Sequence, residues 1–135
     1  MKIVKVLFVD ANSFLRDSAA ELLVKLRDRQ GRSYCEVSTC DDLSSALSAF
    51  DMAAEQGCPF DVVSSGLNLS IALDGLYLLR LIRAKSPETL VLLSSSIFKS
   101  SVLDEASLEG IPCVTKPDIF KPLVVMIEKI RDDSQ

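Results

Sequence analysis

The chain has 135 residues, 48% of them apolar and 25% charged, with a net charge of −4. This is the balance of an ordinary globular domain and excludes a disordered or fibrous chain. The lysines and arginines are spread along the sequence, leaving no basic footprint for nucleic acid or anionic lipid, and no apolar run is long enough to cross a membrane.

Apolar stretches and amphipathic stretches alternate five times, the pattern of βαβ units around a parallel sheet. Residues 2–9 read as the first strand. Asn12 and Ser13 can cap a helix whose Leu15, Ala19, Leu22 and Leu26 share one face, with Gly31 ending it. Residues 34–39 alternate as a second strand, and Asp41 and Asp42 open a helix carrying Leu43, Ala46, Leu47, Phe50 and Ala54 inward. Gly57-Cys58-Pro59 closes that helix. Residues 60–65 form the third strand, although Ser64 and Ser65 are unusual in a central one and need either backbone partners or a wet pocket. An irregular loop then leads to Asp74-Gly75 and a helix built on Leu76, Leu79 and Ile82. Its apolar residues Leu67, Leu69, Ile71 and Leu73 are expected to tuck onto the domain; exposed, they would form a patch for a partner. Residues 90–93 make a fourth strand, 100–108 a weakly amphipathic helix, and 112–115 a fifth strand. The last helix follows Pro122 on Leu123, Met126, Ile127 and Ile130.

The length suits one domain over residues 1–135, with no room for a second one carrying an output. The first residues run into a strand without a small-residue cleavage site, so a cytoplasmic location is expected. No histidine is present, which removes every triad that uses imidazole as base, and no enzyme activity is expected. Cys35, Cys40, Cys58 and Cys113 show no paired spacing, so free and mostly buried thiols are expected rather than zinc ligands. In an open parallel sheet, ligands gather outside the carboxyl ends of the strands, which directs attention to Asp10-Ala11, Gly66, Ser94 and Lys116.

At those positions the sequence resembles the CheY-like receiver domains of response regulators. Val9-Asp10-Ala11-Asn12 resembles the end of their first strand, where two acids normally stand together. The run from Phe60 to Gly66, followed after a loop by Asp74-Gly75-Leu76, resembles their third strand, acceptor loop and third helix. Leu93-Ser94 resembles the fourth strand with its terminal hydroxyl, and Thr115-Lys116-Pro117 the fifth with its Lys-Pro. The resemblance implies a doubly wound α/β fold with a five-stranded parallel sheet in the order 2-1-3-4-5, helices on both faces, and a cis Lys116–Pro117 bond. It implies a role in two-component signal transduction with protein partners, as a monomer or weak homodimer, through the surface of the fourth helix, fifth strand and fifth helix.

In such domains the acid pair and an acceptor aspartate hold magnesium, the aspartate takes a phosphoryl group, and the lysine and hydroxyl steady it. Metal and cation are needed because phosphoryl transfer depends on positioning and on neutralising oxygen charge. Here the second acid is Ala11 and the acceptor is Gly66, while Asp10, Ser94 and Lys116 remain. A degenerate receiver is expected: no metal, no cofactor, no phosphorylation, and Lys116 paired with Asp10. The aromatic residue that usually follows the hydroxyl's movement is Cys113, a poor switch. Two alternatives stand beside this one. Asp74 could serve as an unconventional acceptor, although its loop is one residue longer than usual and it reads as a helix start; or the domain could bind a small molecule or act in redox chemistry, although it lacks a glycine-rich phosphate cradle.

Overall fold

A computed structural model describes residues 2–133. Five strands, β1 (Val4–Val9), β2 (Cys35–Cys40), β3 (Val62–Gly66), β4 (Leu90–Ser95) and β5 (Cys113–Thr115), alternate with five helices. These are α1 (Ser13–Leu23), α2 (Leu43–Glu55), α3 (Asp74–Lys85), α4 (Ser100–Leu108) and α5 (Phe120–Asp133). All strand pairs are parallel and the order is β2-β1-β3-β4-β5, as expected.

The period-2 alternation of the strands divides the core in two. Leu7, Val9, Val63, Val91 and Leu93 face one side, where Phe50 of α2, Leu76, Leu79 and Ile82 of α3 and Val102 of α4 cover them. Val4, Val6, Phe8, Val62 and Leu92 face the other, under Ala19 and Leu23 of α1 and Leu123 and Ile127 of α5. Because helices lie on both faces, β3 is buried at every residue, which explains why its apolar positions do not alternate with polar ones.

Several expectations need correction. Helix α1 stops at Leu23 instead of running to Gly31. Asp28 accepts hydrogen bonds from the backbone N–H groups of Gln30 and Arg32, and this local alternative to helix folds the next residues into a hairpin bridged between Arg27 and Ser33. Gly31, at φ +78°, belongs to that turn. Within α1 it is Leu23 that is buried, while Leu22 is half exposed. In α2 Ala53 and not Ala54 faces the core, in step with Ala46 and Phe50. Helix α5 begins at Phe120 and accommodates Pro122 in its first turn, where a missing N–H breaks no intrahelical bond. Of the thiols only Cys35 is buried; Cys40 and Cys113 are half-buried and Cys58 is exposed, so the expectation of mostly buried cysteines fails. The four apolar loop residues split: Leu67 is buried and Leu69 packs on the core, whereas Ile71 and Leu73 are exposed.

Among the described residues no helix is long and apolar enough to cross a membrane.

Candidate functional site

Strand alternation carries Ser64, Gly66 and Ser94 onto the face covered by α1 and α5, and the registry sets Gly66 directly beside Ser94. Asp10 follows β1 and Lys116 follows β5, so their side chains meet over the carboxyl end of the sheet. The Lys116 Nζ lies 2.8 Å from Asp10 Oδ2, with the carboxylate side chain 3% exposed and the lysine 21% exposed. The contact is an ion pair outside directed hydrogen-bond geometry, since Oδ2 has no such partner. The other oxygen, Oδ1, accepts the Asn12 N–H at 2.9 Å, and Arg16 donates to the Asp10 carbonyl at 2.7 Å. Asn12 also caps α1 through its side chain, accepting from the Leu15 N–H. The turn that presents Asp10 is thus fixed at both ends.

Gly66 completes the group. A Cβ added there would lie 3.1 Å from Asp10 Oδ2 and 3.5 Å from Lys116 Nζ. The vacant side-chain direction therefore points at the ion pair. Its carbonyl is equally crowded: it accepts the Ser65 hydroxyl at 2.9 Å, and a Cβ on Gly75 would fall 1.6 Å from its oxygen. Glycine at 75 is required by this close approach of α3 to the end of β3, a role that the Asp74-Gly75 pair in the sequence signalled only as a helix start. Ser94 donates weakly to the Ser65 carbonyl at 3.5 Å. Of the two unusual serines, Ser65 therefore has its backbone partner, and Ser64, buried, has none.

Asp74 stands apart from this group. Its Oδ1 accepts the Leu69 N–H at 2.6 Å and its Oδ2 those of Ser70 and Ile71 at 2.9 and 3.2 Å. Burial acts to raise its pKa, but these backbone donors, with that of Gly75, outweigh it and hold the carboxyl below its ordinary value. Both oxygens are committed to closing the loop. Leu73, the residue before it, takes a left-handed conformation at φ 65°. Asp61 lies at the far end of the sheet, where it accepts the Lys5 N–H and pairs with Lys2.

Chains of known structure share this arrangement of strands and helices. The Vibrio cholerae chemotaxis protein CheY4 superposes with a TM-score of 0.69 at 24% identity, covering 94% of this chain and 98% of its own. The receiver domain of NtrX from Brucella abortus superposes at 0.70 with 28% identity, covering 92% and 95%. The chain has the receiver fold. The receiver-like region spans only 28% of a longer Brucella abortus NtrX chain crystallised with ATP, matched at 27% identity over 98% of this one with a TM-score of 0.72. No protein-family profile and no curated protein sequence matches the chain.

The Lys116–Pro117 bond is cis, as the resemblance implied. The magnesium that receivers carry does not fit the residues present. Ala11 and Gly66 offer no oxygen ligand from a side chain, and the one carboxylate, Asp10, is held by Lys116 and Asn12. Among the described residues no three His, Cys, Asp or Glu side chains cluster as metal ligands.

Proposed function

We propose that this chain is a receiver-type module of two-component signal transduction that accepts no phosphoryl group and acts by contact with protein partners. The observation that supports this most directly is the Gly66 geometry. The side-chain direction that would carry an acceptor carboxylate to Lys116 and Asp10 ends in a hydrogen atom, and the lysine is already neutralised by Asp10 at 2.8 Å. Without a nucleophile there is no covalent step, and without the acid pair nothing offsets the repulsion between a carboxylate and an incoming phosphate. The site residues of the degenerate pocket on this reading are Asp10, Ala11, Gly66, Ser94 and Lys116. Partner contact is assigned to the α4–β5–α5 surface, which exposes Leu103 and Leu108 on α4 and Val125 on α5.

The test is incubation with magnesium and acetyl phosphate, or with beryllofluoride, followed by intact-mass measurement and amide spectra. The native chain is expected to stay unmodified and its pocket resonances unshifted. The A11D/G66D variant, in which Asp10 must give by a few tenths of an ångström to admit the new side chain, is expected to gain the modification. Saturable labelling of the native chain would overturn the reading. Labelling lost on Asp74→Ala would transfer the acceptor role to that residue.

A further inference from the structure

The hairpin between α1 and β2 gathers charge that the linear sequence shows as scattered. Residues 25–32 hold Lys25, Arg27, Arg29 and Arg32 against the single acid Asp28, a local +3 on a chain of net −4. All four cations are exposed. Asp28 offsets one of them, Arg32, and leaves the other three uncompensated within the hairpin. It accepts from the backbone of Gln30 and Arg32 and pairs with the Arg32 guanidinium at 3.3 Å. Arg27 folds back onto the carbonyls of Val24 and Leu26 at the end of α1. Lys25 and Arg29 have no side-chain partner among the described residues, so both are available to an incoming anion. Exposed Leu22 and Val24 at the end of α1 add apolar surface beside them.

The hairpin runs directly into β2, which pairs with β1 on one side and is the open edge of the sheet on the other. An edge strand leaves backbone N–H and C=O groups free to take up an added strand. We infer that the 25–32 hairpin and the adjoining β2 edge form a docking site for an extended, acidic segment of a protein partner. Among the described residues Arg29 keeps its whole fork uncommitted, and such a fork matches a carboxylate two bonds at a time, with the Lys25 ammonium as a second point of positive charge. Exposed Glu36 on β2 limits the acidic part of that segment to the hairpin end. Nucleic acid is disfavoured because a polyphosphate reaching past four cations would meet the acidic remainder of the chain. This inference is independent of whether Gly66 abolishes phosphorylation.

The experiment titrates the full ¹⁵N-labelled chain with a glutamate-rich peptide that ends in a short neutral β-forming stretch. Expected are saturable, salt-sensitive amide shifts confined to residues 24–40 and roughly tenfold weaker binding by K25E/R29E, a variant that keeps the fold because both side chains are exposed and make no hydrogen bond or ion pair among the described residues. Equal binding by the variant, shifts centred elsewhere, or tighter binding to a DNA duplex or to phosphatidylglycerol vesicles than to the peptide would each overturn it.

Discussion

Replacing Lys116 by methionine removes the cation from a carboxylate that is almost wholly buried. At 2.8 Å and an effective dielectric of about 20, the attraction between the two charges is roughly 6 kcal/mol, and the desolvation of the pair consumes several kcal/mol of it. The intact pair therefore adds little net stability, whereas breaking it from one side strands a charge. Lys116→Met leaves Asp10 with the Asn12 N–H as its one remaining side-chain hydrogen bond, and is expected to cost about 3 kcal/mol, a fall in Tm of roughly 10 °C. Asp10→Asn is milder, about 1–2 kcal/mol, because the one-fifth-exposed lysine can turn to water. The double variant should cost about 2 kcal/mol, less than the lysine variant alone, which corresponds to a coupling energy of about 2–3 kcal/mol. Urea unfolding of the four proteins measures the cycle, provided the m-values agree. Costs that add to within about 0.5 kcal/mol would refute the idea that the two charges hold each other.

Gly75→Ala should destabilise the fold by about 3 kcal/mol or more, since its Cβ meets the Gly66 carbonyl oxygen at 1.6 Å and backbone must move; a near-neutral result in denaturant unfolding would contradict the close approach. Asp74→Asn should cost about 2 kcal/mol at neutral pH through weakened bonds from Leu69, Ser70 and Ile71. Because the folded carboxyl titrates below its ordinary value of 3.8, its contribution is present above that pH and is lost as pH falls through the depressed value. The native chain should therefore lose stability on acidification more steeply than the asparagine variant, as unfolding curves taken down to about pH 3 will show. Among the thiols, exposed Cys58 should react first with a disulfide reagent, and buried Cys35, pushed up to about 11 by burial, should react only as the chain opens. Stability owed to the protonated Cys35 thiol is complete below its ordinary value of 9.0 and declines as pH rises toward about 11, which alkaline unfolding measures.

The alternation of strands and helices, and most of the inward helix positions such as Ala46 with Phe50, were legible because burial writes itself as period, whereas the strand order was carried by the resemblance to receivers and not by any spacing. The Asp10–Lys116 pair was legible for another reason, namely that once Gly66 supplies no partner the nearest opposite charges have only each other. Features set by single side-chain-to-backbone bonds were not. Asp28 closes the hairpin beyond α1 by capturing two N–H groups, which no apolar spacing reveals, and the same turn gathers cations that look dispersed in one dimension. Gly75 reads in the sequence as a helix start, yet its need for glycine comes from a carbonyl nine residues away. Asn12 reads as a cap, and its second task of holding Asp10 Oδ1 depends on the turn between them.

The neutralised Asp10–Lys116 pair has a bearing on how such a module conveys information. Two opposite charges lie at contact there, and on the proposed reading no covalent event pulls them apart. On the proposed reading the molecule has one resting shape rather than two, and its message must be carried by abundance: how many copies the cell makes, and how many binding surfaces compete for them.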